Sequence, residues 1–201
     1  MTKPGRRSSG GVGGRALWLA GALLLVEWHL PRLAAAQAPV EEARSKVEAA
    51  FLRNFARYVS WPPQAFEGDR SPWTVCVLGE DPFGDSLPEV LRGRVEQGRP
   101  FEIRRAEALE ALPACHILFV AIANPAQRRS VLRRVKDMPV LTVGNASDFL
   151  AEGGVIRLQP GERMEMSVNL DQARSASLGI PTKLLEVSRD VVENGVLRRL
   201  R

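Results

Sequence analysis

An α/β fold, a mostly parallel sheet flanked by helices on both faces with an antiparallel edge hairpin, is predicted by three features of this 201-residue sequence. Short apolar runs alternate with helical patterns over residues 73–144, as strands joined by crossover helices do. Two of the runs, 73–79 and 115–122, have no polar face, which suits strands covered on both sides. Segments 155–158 and 164–169 instead alternate apolar with polar residues about a Gln159-Pro160-Gly161 turn, the pattern of a hairpin with one wet face at the sheet's edge.

The stretch 47–63 opens the domain. Val47, Phe51, Phe55 and Tyr58 recur at helical spacing, with Leu52 and Val59 widening the stripe, while Lys46, Arg53 and Arg57 face another way. Pro62 stops the helix, and Trp61 is expected to turn off its axis into whatever the stripe covers. After a polar loop, helices are predicted over 82–92, 106–112 and 125–136, extended chain at 101–104 and a strand at 139–144. Two closing helices are expected, 170–178 and 182–193. The second carries Leu184, Leu185, Val187, Val191 and Val192 on one face, and Thr182 caps its start.

Residues 1–38 read as a cleaved export signal. Lys3, Arg6, Arg7 and Arg15 form a basic n-region ahead of an apolar run from Ala16 to Val26, and Ala34-Ala35-Ala36-Gln37-Ala38 offers small-residue cleavage sites. The run is shorter than the roughly eighteen residues a membrane span needs. A single α/β domain over 39–197 and a basic tail over 198–201, a solvated frayed end, complete the chain. Removing 1–38 leaves 23 basic and 22 acidic residues, a net charge of +1, so the basic character belongs largely to the leader and no nucleic-acid partner is expected. Cys76 and Cys115, an even count in an exported chain, predict one disulfide between the first and third strands, which are neighbours in a sheet of order 2-1-3; two buried free thiols are the alternative.

Candidates for chemistry are few. Gly79-Glu80-Asp81-Pro82-Phe83-Gly84 lies at a strand-to-helix turn, where phosphates bind in doubly wound folds, but its acids repel an anion and no phosphate-loop spacing is present. His116 follows the leader as a lone histidine with no nucleophile elbow and no partner for a metal; a hydrolase using it as general base is a minor alternative to a structural histidine. Gly153-Gly154 reads as a turn. The pairs Glu41-Glu42 and Glu165 with Asp171 have no spacing suited to acid/base work. No enzyme, cofactor or metal is indicated.

Four stretches, in register, resemble the YfiR family of periplasmic proteins. They are 49–62 (Ala-Ala-Phe-Leu-Arg-Asn-Phe-Ala-Arg-Tyr-Val-Ser-Trp-Pro); the cysteine strands 75–79 and 115–119; Leu141-Thr142-Val143 with Phe149 and Gly153-Gly154-Val155-Ile156; and Asn169 with Ala173, Leu178-Gly179-Ile180 and Lys183-Leu184-Leu185. Pro181-Thr182 departs from the usual serine-rich start of the last helix, and a second cysteine pair is lacking. The resemblance implies an exported, non-catalytic regulator: the best-known member restrains an inner-membrane diguanylate cyclase and is sequestered by an outer-membrane lipoprotein.

The expected function is therefore that of a periplasmic protein that restrains a membrane signalling protein by direct binding, with a diguanylate cyclase as the partner the resemblance favours, an outer-membrane lipoprotein as a second partner and a homodimer as a further expectation. Its binding surface is expected at Arg57, Ser60 and Trp61, and along an exposed strand edge where Arg163, Glu165 and Ser167 face out while Met164, Met166 and Val168 pack inward. The alternative is a small-molecule module whose crevice lies near Gly79, Ala123 and Gly144.

Overall fold

The computed structural model describes residues 30–161 and 163–200, with side chains from Val40 onward. The export signal read over 1–38 lies outside these residues, except for the helical backbone of 30–38. Contacts separate Met1–Pro39 from Val40–Arg201, and the architecture described is that of the second unit. Helix α1 (Leu30–Tyr58) supplies its residues from Val40 on.

Among the described residues one nine-stranded sheet organises the unit. In chain order its strands are β1 (Trp73–Gly79), β2 (Val95–Glu96), β3 (Arg99–Ala106), β4 (Ile117–Ala121), β5 (Leu141–Gly144), β6 (Ile156–Gln159), β7 (Glu165–Asn169), β8 (Asp190–Glu193) and β9 (Val196–Arg199). They lie in the order β2-β3-β1-β4-β5-β6-β7-β8-β9. Strands β3, β1, β4, β5 and β6 run parallel, and β8 runs parallel to β7; the pairs β2/β3, β6/β7 and β8/β9 are antiparallel. The first three long strands lie in the expected 2-1-3 order.

The unbroken apolar runs of β1 and β4 are buried on both faces, as predicted. Because strand side chains alternate, Val75 and Val77 enter one layer while Cys76 and Leu78 enter the other. The first layer is covered by α1, α2 (Ser86–Leu91), α4 (Leu170–Ser175) and α5 (Thr182–Glu186), through Leu52, Phe55, Leu87, Ala173 and Leu184. The second is covered by α3 (Pro125–Val135), through Leu132 and Val135, and by Phe149. Asn124 caps α3, its Oδ1 accepting from the N–H groups of Ala126 and Gln127.

Several expectations are corrected. The buried face of α1 is Ala49, Leu52, Phe55, Ala56 and Val59, whereas Val47 and Tyr58 are both 45% exposed; the stripe is turned toward its C-terminal neighbours. The helix expected over 82–92 starts only at Ser86, because Asp81 Oδ1 accepts the N–H of Phe83 and holds a turn. That expected over 106–112 is a single turn, Leu109–Ala111, after β3.

The largest correction concerns the chain end. The helix predicted over 182–193 stops after Glu186, with Pro181 rather than Thr182 at its cap, and β8 begins at Asp190. Val191 and Val192 are β-branched, and Asn194-Gly195 adopts positive φ angles of 53° and 70°, the two-residue hairpin turn that matches strand twist. Arg198 and Arg199 are therefore in a strand, not in a frayed tail. The antiparallel edge hairpin exists, but it is β8/β9; the pair β6/β7 is interior.

Candidate functional site

Cys76, wholly buried on β1, and Cys115, just ahead of β4, are joined in a disulfide with their Cα atoms 6.0 Å apart. The next residue, His116, is locked. Its Nδ1 accepts the N–H of Thr74 at 2.9 Å and its Nε2 donates to the carbonyl of Ala65 at 3.0 Å, which defines a neutral ring with the proton on Nε2. Phe66 stacks on the ring with centroids 4.5 Å apart, and the Arg99 guanidinium lies 3.9 Å from the Phe66 centroid. Burial pushes the His116 pKa below its ordinary value and the Arg99 charge adds to this, against the Ala65 carbonyl and Glu67. Both nitrogens are committed to backbone groups, so His116 ties the loop after α1 to the sheet and has no lone pair facing a substrate.

Gly79 and Gly144, expected beside a ligand crevice, serve packing. A Cβ at Gly79 would lie 2.5 Å from the carbonyl oxygen of Ala121, and one at Gly144 would lie 2.5 Å from the Phe149 ring. A cleft of about 430 Å³ does lie at these strand ends, bordered by Glu80, Asp81 and Arg128. Its cation is engaged already: Arg128 pairs with the equally buried Glu152 and donates to the carbonyls of Ile122 and Ala123 at 2.8 and 3.1 Å. Asp81 is paired with Arg105 at 2.6 Å.

Arg57 lies in the last turn of α1, and Ser60 and Trp61 follow it. Arg57 is exposed, with its guanidinium 5.5 Å from the centroid of Tyr58. Ser60 and Gly179 exchange backbone hydrogen bonds of 2.9 Å in both directions, and Trp61 packs edge-on against Trp73 at 4.9 Å. Trp61 Nε1 is buried without an acceptor among the described residues.

The second expected patch is divided. Arg163 and Glu165 are exposed, but Ser167 is fully buried, because β8 lies against β7 and removes it from the margin. Ser167 Oγ donates to Asp190 Oδ2 at 3.2 Å. Asp190, 4% exposed, also meets Arg157 at 3.5 Å, Arg199 at 3.5 Å and Arg189 at 3.9 Å, and Arg189 pairs with Glu165. Sequence reasoning missed this arginine cluster because it placed Asp190 in a helix and Arg199 in a tail. Glu48 on α1 was missed too; it is 2% exposed, its Oε1 lacks a donor among the described residues, and burial raises its pKa against the pull of Arg44.

Among the described residues no group of His, Cys, Asp and Glu is placed to hold a metal ion, and no helix is long and apolar enough to cross a membrane. A family model described as YfiR/HmsC-like matches residues 45–189, well over half of the chain. The chain belongs to the YfiR/HmsC-like family. The matched span runs from α1 to the threshold of β8, so it includes the disulfide, the His116 latch and the residues Arg57, Ser60 and Trp61, but not the β8/β9 hairpin. YfiR/HmsC-like proteins are, in general, periplasmic regulators in cyclic di-GMP signalling that act with membrane signalling proteins rather than by catalysis.

Proposed function

We propose that this YfiR/HmsC-like protein is exported to the periplasm and there restrains an inner-membrane diguanylate cyclase by stoichiometric binding, with an outer-membrane lipoprotein relieving the restraint. The family match over 45–189 carries this proposal. A histidine engaged by backbone on both nitrogens and a cleft whose arginine is already paired support binding over turnover. Deleting the gene is expected to raise cellular cyclic di-GMP, and an exported copy to lower it again while co-purifying with the cyclase from membranes. Full complementation by a leaderless copy confined to the cytoplasm would overturn the proposal.

A further inference from the structure

Every sheet that does not close has two margins, and a margin strand carries backbone groups with no partner. In this sheet β9 is the last strand, paired with β8 in the register Asp190↔Arg199, Val191↔Arg198, Val192↔Leu197 and Glu193↔Val196. The N–H of Leu200 donates back to the carbonyl of Arg189 at 2.7 Å. In an antiparallel pair residues face the partner strand alternately. With Leu200 facing inward, Val196 and Arg198 bond to β8, and Leu197 and Arg199 turn their N–H and C=O groups outward.

The side chains along this margin give it a chemical character. All four residues of β9 are exposed, and Val196, Leu197 and Leu200 are 53%, 62% and 50% exposed. Arg163, Arg189 and Arg199 line one pocket here with Glu165, beside Asp190, while Arg198, paired with Val191 in the register, lies on the opposite face of β9. Arg163 and Arg198 have no ion-pair partner among the described residues. A pocket of about 330 Å³, lined by Arg163, Glu165, Val187, Arg189 and Arg199, opens beside the strand. Among the described residues Asp190 Oδ1 has no hydrogen-bond donor; Arg199 Nε approaches it only to 3.5 Å, so Arg199 is weakly held and its guanidinium is available to an incoming anion.

We infer that β9 is a docking edge for an extended, acidic segment of another protein, which adds to the sheet as a tenth strand and places carboxylates against Arg163 and Arg199 on one face and against Arg198 on the other. Backbone pairing to Leu197 and Arg199 supplies the register, the exposed apolar residues supply contact on both faces, and the arginines select for acid. A second copy of this chain is disfavoured on the same ground, since pairing β9 with β9 brings two arginine-rich margins together. The inference rests on the binding function proposed above and names the surface and the chemistry of the partner.

The test uses the mature protein and two labelled peptides, acetyl-Thr-Val-Glu-Glu-Val-Val-Thr-amide, whose adjacent glutamates reach both faces, and its Glu→Lys counterpart, followed by fluorescence anisotropy. The acidic peptide is expected to bind, more weakly at high salt, and the basic one not at all. Leu197→Pro removes one outward donor and leaves the inward bonds, so it should weaken binding by about tenfold with the melting temperature retained. The pair Arg163→Glu with Arg198→Glu, which leaves the backbone untouched, should abolish binding even if the proline variant folds poorly. Equal binding of both peptides, binding unaffected by the charge reversals, or a dimer in sedimentation that Leu197→Pro dissolves would overturn the inference. In cells, a Leu197→Pro protein that restrains the cyclase as well as wild type would overturn the docking edge alone. A wild-type protein that restrains nothing would instead overturn the function proposed above.

Discussion

The two margins of the sheet are treated in opposite ways. At one, β2 is two residues long and held down from α1 and β1: Trp73 Nε1 donates to the carbonyl of Glu96 at 2.9 Å, Gln97 Nε2 donates to the carbonyl of Ala56 at 2.9 Å, and Arg53 lies 3.5 Å from the Glu96 carboxylate. At the other, β9 has outward-facing backbone, exposed apolar side chains, Arg199 only loosely held by Asp190, and Arg198 without an ion-pair partner among the described residues. A margin of two residues offers too little backbone to recruit a strand, whereas a longer open one needs charge to exclude accidental partners. The difference teaches that the half of the sheet around β1, β3 and β4 is built for stability, with its disulfide, histidine latch and tryptophan clamp, while the half around β7, β8 and β9 is left able to bind.

Three experiments would break or sharpen this contrast. Replacing Cys76 and Cys115 with serine should have the largest effect, a loss of about 4 kcal/mol on the chain-entropy account of a loop closed across 39 positions, read as a lower denaturation midpoint matched by reduction of the wild type. An unchanged midpoint would mean that the β1/β4 half does not depend on its crosslink. Next, Trp73→Phe leaves the Glu96 carbonyl without its donor and opens space beside Trp61 and Phe66; about 2 kcal/mol should be lost, with faster amide exchange in β2 and β3 but not in β9. Uniform acceleration of exchange across both margins would deny that the clamp is local.

The smallest effect is that of pH on the His116 latch. Its pKa is depressed in the folded state, so the unfolded chain binds more protons as pH falls below the ordinary value of about 6.5. The latch therefore stabilises above that pH and its contribution is lost as pH falls through the lower folded value. Protonated Nδ1 would face the N–H of Thr74, donor against donor. Melting temperatures measured from pH 8 to pH 5 should fall more for wild type than for His116→Gln, and identical slopes would remove His116 from the account.

How much was legible follows from the range over which each signal acts. The strands β1, β4 and β5 and the helix α3 were visible because burial on two faces, or on one helical face, leaves a local apolar pattern. The β8/β9 hairpin was also written locally: Val191-Val192-Glu193 before Asn194-Gly195 is a strand followed by a tight-turn dipeptide, but the helical spacing of Leu184, Leu185 and Val187 obscured it. Ser167 could not be placed this way. Its alternating strand has the same pattern whether its neighbour is solvent or another strand.

By itself the amino-acid sequence determined the fold class, the family, the cysteine pair and the run of strands and helices, since these depend on periodicity, β-branching, turn dipeptides and residue types that neighbours a few positions away can read. The tertiary structure alone decided which face of α1 is buried, that both His116 nitrogens are spent on backbone partners, that Asp190 sits among arginines, and that β9 rather than β7 is the open margin. Each of these depends on hydrogen bonds and packing between residues far apart in the chain. Such pairings are chosen by the energy of the whole assembled sheet, which no window of sequence contains.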